Sequence, residues 1–198
     1  MSRAIDIEHR DHAVILRFIR PEIRNPLSIV VVEELQGILE SVPVDCERLI
    51  FTGTGNVFAS GADLREIAAI GPDEVKSFAE RGQRLMNTIA ALPCKTIAAI
   101  NGFCFGGALD LAVSCDIRIA QPQAEFSHPG TGLGIITGWS GTQRLPRLIG
   151  QGRALEMFMT ASRFDAATAL RWGLVDVIAD DAVTAALEIN SPLPAFPR

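Results

Sequence analysis

Two glycine-containing turns are the parts of this sequence whose residue types and spacing could do chemistry. They are residues 59–63 (ASGAD) and 101–107 (NGFCFGG), and each lies between a predicted strand and a predicted helix. The N–H groups in the first turn of a helix have no intrahelical partner, and the helix dipole adds positive potential there. Glycine lets a substrate approach the main chain closely. Together the two turns could hold an anionic oxygen, although either alone could be an ordinary tight turn.

Other catalytic templates are missing from the sequence. It contains no G-x-S-x-G elbow, no G-x-x-x-x-G-K-[ST] loop, no G-x-G-x-x-G fingerprint and no H-E-x-x-H pair. Only three histidines are present, and His9 and His12 fall in a predicted hairpin. A Ser/His/Asp triad would therefore have to use His128.

Composition bounds the class of protein. The 198 residues are 48% apolar and 21% charged, as expected of a globular domain, and the net charge of -5 comes without any basic block. We therefore expect no nucleic-acid partner. The sequence shows no signal peptide and no run of 18 apolar residues, which predicts no membrane association and a cytoplasmic location. No C-x-x-C pair is present, so we expect no metal site and four buried thiols, at Cys46, Cys94, Cys104 and Cys115.

The elements that must position these turns follow from periodicity. Strands are predicted at 5–8, 13–18, 48–52, 96–100, 116–120 and 175–178. Helices are predicted from Ser28 onward, after Asp63, and at 72–92, 108–113, 142–159, 165–172 and 181–189. Repeated strand, loop and helix predict an α/β fold with a parallel sheet and crossover helices, without a second independent domain.

Three ordered motifs carry a family resemblance. Residues 51–67 (FTGTGNVFASGADLREI), 95–120 (KTIAAINGFCFGGALDLAVSCDIRIA) and 134–150 (GIITGWSGTQRLPRLIG) resemble the enoyl-CoA hydratase/isomerase, or crotonase, superfamily. The match extends over roughly residues 10–180 and includes RPEIRNPLS near the start.

The resemblance implies a fold and a ligand. A crotonase-like spiral of ββα units over residues 1–180 would bind an acyl-CoA thioester, and coenzyme A would be part of the substrate rather than a cofactor. Residues 181–198 would form a short helix and a proline-rich tail, a shortened version of the helical lid in longer relatives. The resemblance also implies a homo-oligomer, a trimer or a hexamer, and a role such as fatty acid metabolism.

The resemblance also implies specific site residues. The amides of Ala62 and Gly107 would form an oxyanion hole for the thioester oxygen, whose charge grows as an enolate forms. Contacts to CoA would come from the loop around Arg24 and from residues 60–64, namely Ser60, Gly61, Ala62, Asp63 and Leu64. Arg24 could equally be a solvated loop residue.

The acid/base positions depart from the family pattern. Hydratases of this family usually carry two glutamates, and the matching positions here are Asp110 and Gly130. Asp110 lies three residues after Gly107, so a helix would place both on one face. Asp110 could also be an ordinary helix residue stabilised by the dipole. Gly130 cannot transfer a proton, which makes His128 the nearest substitute; Ser127, Thr131 and Thr137 are weaker candidates.

Several functions remain open at this point. The first is a hydratase or isomerase in which Asp110 moves a proton at C2 or C3 of the acyl group. Isomerisation needs only one base, and decarboxylation or thioester hydrolysis would use the same hole differently. The alternative of another class is an inactive acyl-CoA-binding homologue that has kept the fold and lost turnover.

Overall fold

The computed structural model describes residues 3–189. Within that range the strands are β1 (Ile5–Arg10), β2 (Ala13–Phe18), β3 (Pro26–Leu27), β4 (Arg48–Thr52), β5 (Val57–Ala59), β6 (Gly61–Ala62), β7 (Lys95–Ile100), β8 (Phe103–Phe105), β9 (Ile117–Ala120), β10 (Glu125–Ser127), β11 (Phe164–Asp165) and β12 (Val177–Ile178). The helices are α1 (Ile29–Glu40), α2 (Leu64–Ala69), α3 (Val75–Ala91), α4 (Gly107–Ala112), α5 (Gly141–Ile149), α6 (Gln151–Thr160), α7 (Ala166–Trp172) and α8 (Ala182–Glu188).

The larger sheet has six strands in the order β1-β2-β4-β7-β9-β12. β1 and β2 form an antiparallel hairpin, and every other neighbouring pair is parallel. α8 covers one face of this sheet through Ala182 and Ala186, while the main core lies on the other face. Because both faces are covered, central strands such as β7 carry continuous apolar residues.

Local signals account for the longer helices. The Ser28 hydroxyl accepts a hydrogen bond from the Val31 amide and caps α1, whose buried face includes Leu35 and Leu39. A 3₁₀ turn at Pro72–Glu74 leads into α3, which buries Gly82, Leu85, Met86 and Ile89 at helical spacing.

A second sheet of four short strands, in the order β11-β10-β8-β5, stands beside the first. Phe18 of β2 and Phe58 of β5 join the two sheets: both are fully buried and meet edge to face with ring centroids 5.8 Å apart. Truncating either ring to alanine would cost about 3–5 kcal/mol of folding free energy. A two-stranded parallel pair of β3 and β6 completes the sheets of the described residues.

Two sequence predictions are wrong in detail. The helix predicted over 142–159 is two helices, α5 and α6, because Gly150 at φ 85° and ψ 154° lies in a region open mainly to glycine and breaks the chain direction. His9, assigned to the hairpin turn, lies in β1 opposite Val14. The turn itself is Asp11-His12, with Asp11 at φ 49°.

The proline-rich tail predicted at 191–198 lies outside the described residues. The short C-terminal helix predicted at 181–189 is confirmed as α8, with the Asp181 side chain as its N-cap. No helix of residues 3–189 combines the length and the apolar character that crossing a bilayer requires.

Candidate active site

Three short strands of the second sheet end at the same edge. β5 pairs in parallel with β8, and β8 pairs in parallel with β10. The carboxyl ends of parallel strands share one edge of a sheet, a common place for ligands to bind. Ala62, Gly107 and His128 follow these three ends in the sequence. The second sheet therefore brings residues from three separate motifs together.

The two glycine-containing turns are in direct backbone contact. Gly61 has φ 85°, and a Cβ on it would lie 2.6 Å from both the Gly107 nitrogen and the Phe105 oxygen. A Cβ on Gly107 would lie 3.4 Å from the Ala62 nitrogen. Any side chain at position 61 would separate the turns, so glycine is required for this approach.

Among the described residues, the local structure leaves the amides of Ala62 and Gly107 without backbone acceptors. Gly107 begins α4, so its N–H has no acceptor within the helix. β3 pairs with β6 in parallel, with Pro26 opposite Gly61 and Leu27 opposite Ala62. Proline has no N–H, and alternate residues of a strand bond to a given neighbour, so this ladder uses the amides of Gly61 and Asp63. The Ala62 amide points away from β3.

Asp110 lies one turn along α4 from Gly107 and is 0% exposed. Its Oδ2 atom accepts a hydrogen bond from the Thr137 hydroxyl. Its Oδ1 atom faces Gly141, where a Cβ would lie only 2.0 Å away. Among the described residues, Oδ1 accepts no hydrogen bond. An unpartnered carboxylate oxygen in the interior is costly, and such groups are often found at functional sites.

His128 lies against the same carboxylate. Its Nε2 atom is 3.2 Å from Asp110 Oδ1, and the side chain is 4% exposed. The contact has the distance of an ion pair without the direction of a hydrogen bond, so Nε2 also has no hydrogen-bond partner within residues 3–189. The ring packs beside Phe158 with centroids 4.9 Å apart. The structure thus joins Asp110 and His128, and it adds Thr137 as the residue that binds the second carboxylate oxygen.

Gly130 lies in the 3₁₀ turn Pro129–Leu133, and that turn has little room for a side chain. A Cβ on Gly130 would lie 2.8 Å from the carbonyl oxygen of Ile135. The same loop is closed by a hydrogen bond from the Ile135 amide to the Gly130 carbonyl. A glutamate at this position would require the loop to move.

The residues predicted to contact CoA lie in two neighbouring segments, and Gly61 and Asp63 among them are buried. The pairing of Pro26 with Gly61 brings the Arg24 loop beside residues 60–64. Arg24 is exposed at φ 65°, and Leu64 is also exposed, whereas Ser60 is half-buried. The structure brings the two backbone segments side by side.

The side chain of Asp63 has a structural role at the start of α2. Its carboxylate caps α2 by accepting the Arg65 amide hydrogen and forms an ion pair with the Arg65 guanidinium at 2.7 Å. The side-chain hydrogen bond from Arg65 lowers the pKa of Asp63 below its ordinary value. This cap fixes the start of α2 directly after Ala62.

Two residues that position the site were missed by the sequence analysis. Asn25 is buried, and its amide group donates to the carbonyls of Val57 and Phe58, which anchors the Arg24 loop to β5. Trp139 is buried against Gly107. Asparagine next to proline in a turn was a signal for the first. An isolated tryptophan in an irregular segment gave no signal for the second.

The cysteines take no part in this site. Burial raises the pKa of Cys94 to about 12 and raises the pKa of Cys104 and Cys115 as well, so none is a thiolate at neutral pH. The prediction of buried thiols is confirmed for these three, whereas Cys46 is half-buried.

A polar cavity of about 330 Å³ lies elsewhere, between the large sheet and the start of α8. Arg10, Arg17, Thr52 and Asp181 are among its lining residues, and none of the predicted site residues lines it. The nearness of the Ala62 and Gly107 amides to each other, together with the Asp110 oxygen that accepts no hydrogen bond among the described residues, makes the edge of the second sheet the better candidate for catalysis.

The chain is similar to known proteins of one family. Residues 9–190 match the family model described as enoyl-CoA hydratase/isomerase. The chain is 38% identical over 177 residues to the crotonyl-CoA hydratase of Syntrophomonas wolfei, and 37% identical over 177 residues to the short-chain-enoyl-CoA hydratase of Clostridium acetobutylicum. Each alignment covers 88% of this chain and 68% of the relative. The crystal structure of enoyl-CoA hydratase from Bacillus anthracis superposes with a TM-score of 0.89 at 37% identity, covering 94% of this chain and 74% of that one.

Proposed function

Because the chain belongs to the enoyl-CoA hydratase/isomerase family, we propose that it is an enzyme acting on a 2-enoyl-CoA thioester, with the edge of the second sheet as its active site. One observation carries this proposal: the N–H of Gly107 and the unpartnered Oδ1 of Asp110 lie on successive turns of one helix, beside the Ala62 amide. The two amides could donate hydrogen bonds to an oxyanion, and Asp110 could accept a proton from the same acyl group.

The amides of Ala62 and Gly107 hold the thioester carbonyl oxygen. Attack at C3 or removal of a proton at C2 moves negative charge onto this oxygen. Because the donors are fixed by backbone packing, they need no reorganisation as the charge develops, and loss of one such donor typically costs about 3 kcal/mol of transition-state stabilisation.

Asp110 moves the proton. In hydration, its carboxylate takes a proton from water as the water oxygen bonds to C3, and the proton is delivered to C2 as the enolate collapses. His128 at 3.2 Å and Thr137 at Oδ2 hold the carboxylate in place.

Double-bond isomerisation is a second candidate, and Gly130 favours it. A single carboxylate can remove a proton from C2 of a 3-enoyl thioester and return it to C4, so the second carboxylate missing at position 130 is not required. The same amides would hold the same enolate oxygen.

The binding of CoA itself is assigned to the strip formed by the Arg24 loop and residues 60–64. This assignment rests on their adjacency to Ala62 through the β3 and β6 pair. We further propose that the protein self-associates, as the family resemblance implies.

Turnover of crotonyl-CoA tests the proposal. The conjugated absorbance of the substrate falls on hydration, and a 3-enoyl-CoA ester gains that absorbance on isomerisation. Asp110→Asn should lower kcat by about 10²- to 10⁴-fold, the usual contribution of a positioned acid/base group. Asp45→Asn, in an exposed loop, should leave it unchanged. Binding of CoA esters without any turnover would establish an inactive homologue, and release of free CoA would establish a hydrolase.

A further inference from the structure

Trp139 fills a space that two glycines leave open beside the site. A Cβ on Gly82 of α3 would lie 2.1 Å from Cδ1 of the indole, and a Cβ on Gly107 would lie 2.5 Å from its Cε3 atom. The five-membered side of the ring therefore lies on α3, and the six-membered side lies on the first residue of α4. The ring is 4% exposed and spans the gap between the two helices.

The ring is held in this position from several sides. Phe78 stacks on it with ring centroids 5.6 Å apart and planes inclined by 35°. The preceding residue, Gly138, accepts a hydrogen bond of 2.8 Å from the Gln83 side chain. The Trp139 amide donates to the Thr137 hydroxyl at 3.4 Å, and that hydroxyl in turn binds Asp110. Moving the indole aside would disturb all of these contacts, so it forms a fixed wall.

The Trp139 indole lies next to the path that an acyl chain would take. With its carbonyl oxygen at the Gly107 amide and its C2 and C3 atoms within reach of Asp110, an acyl group lies along the first turn of α4. The indole touches that turn at Gly107. Each further methylene lengthens an extended acyl chain, so a longer chain that follows α4 would approach the indole.

We propose that Trp139 is the residue that limits acyl-chain length, so that the substrate is a short, four- to six-carbon 2-enoyl-CoA thioester. This inference rests on the proposed function and adds the substrate class. The indole is close-packed, and its Nε1 atom has no hydrogen-bond partner among the described residues. Protein interiors of this kind do not yield to extra methylenes without repacking.

The test compares kcat/KM for 2-enoyl-CoA esters of four, eight and twelve carbons. Wild type should favour the four-carbon ester over the eight-carbon ester by about tenfold or more, the selectivity that methylene-sized differences support. Trp139→Ala should raise the ratio of eight-carbon to four-carbon activity about tenfold or more, while Trp139→Phe should raise it less. Equal wild-type rates on all three esters, or an unchanged ratio in both variants, would overturn the inference.

Two further measurements keep the result interpretable. If Trp139→Ala does not fold, as judged by circular dichroism, Trp139→Leu retains more of the core and carries the same expectation. Affinities for butyryl-CoA and octanoyl-CoA, measured by calorimetry, test the length limit without turnover: tighter wild-type binding of butyryl-CoA, lost in the variant, supports it, and equal affinities contradict it. Absence of turnover on every ester would refute the proposed function, whereas the calorimetric ratio would still decide the role of Trp139.

Discussion

The Nε2 atom of His128 lies 3.2 Å from the Oδ1 atom of Asp110 in the interior of the protein, although 17 residues of chain separate the two positions. Neither atom forms a directed hydrogen bond within the described residues. The family pattern leads one to expect carboxylates at positions 110 and 130. Here Asp110 supplies one, position 130 is a glycine, and the imidazole of His128 lies against Asp110.

Replacing His128 tests whether the imidazole contributes to turnover. We expect His128→Gln to lower kcat on crotonyl-CoA about 10- to 100-fold, because the amide does not reproduce the imidazole that lies 3.2 Å from the Asp110 carboxylate, and this is less than a full acid/base contribution. His9→Gln, on an exposed position of β1, is the matched control and should retain the wild-type rate. Full activity of His128→Gln would restrict the chemistry to Asp110.

Substitution of Thr137 can separate the contribution of its hydroxyl from that of its methyl group. Thr137→Val removes the donor to Asp110 Oδ2 and leaves that buried oxygen unpartnered, which should cost about 1–3 kcal/mol of unfolding free energy and also reduce kcat. Thr137→Ser keeps the hydroxyl and should restore most of both quantities. Urea denaturation and the crotonyl-CoA assay measure the two effects. Wild-type stability and rate in Thr137→Val, with losses in Thr137→Ser, would show that packing of the methyl group matters, not the hydrogen bond.

Gly130 and Gly132 form a matched pair in one 3₁₀ turn. Gly130→Ala should destabilise the protein by about 1–3 kcal/mol, because the new Cβ would lie 2.8 Å from the Ile135 oxygen. Gly132→Ala places its Cβ at an ordinary 3.8 Å from Ala161 and should change stability little. Thermal unfolding of the two variants measures the difference. If both are equally stable, the loop is free to move, and a carboxylate at position 130 would become possible.

The lowered pKa of Asp63 predicts that the stability of the protein depends on pH. Its pKa is lower in the folded than in the unfolded protein because Arg65 stabilises the carboxylate, so its contribution is present above the unfolded pKa of about 3.9 and is lost as the pH falls through the folded pKa. Arg65 is largely exposed and solvent screens the pair, so the effect should be small. Urea denaturation between pH 7 and pH 3 should show a smaller acid-induced loss in Asp63→Asn than in wild type, and an unchanged loss in Asp45→Asn. A parallel profile for Asp63→Asn would contradict the assigned ion pair.

The long elements could be predicted from the sequence because their signals are local. α1 has its serine cap and apolar spacing, and β4 is confirmed at residues 48–52. The family membership and the crotonase-like fold class predicted from three motifs are also confirmed. The break at Gly150 was missed because the apolar spacing continues through it, and only its φ angle distinguishes the break from an ordinary helical glycine.

The short strands of the second sheet could not be predicted in this way. Each of the strands β5, β8 and β10 has three residues, which is too short to show an alternation of apolar and polar residues. Their pairing is set by contacts between residues far apart in the chain. The nearness of His128 to Asp110 follows from that pairing. The sequence predicted both residues as candidates and left their contact, the role of Thr137 and the wall formed by Trp139 to the tertiary structure.

The measurement that bears most directly on the central claim is a crystal structure with butyryl-CoA, a saturated ester that cannot undergo hydration. The account predicts that the thioester oxygen lies about 2.7–3.1 Å from the amide nitrogens of both Ala62 and Gly107, with C2 or C3 facing Asp110. A thioester oxygen bound to neither amide, with the acyl group directed away from α4, would contradict it.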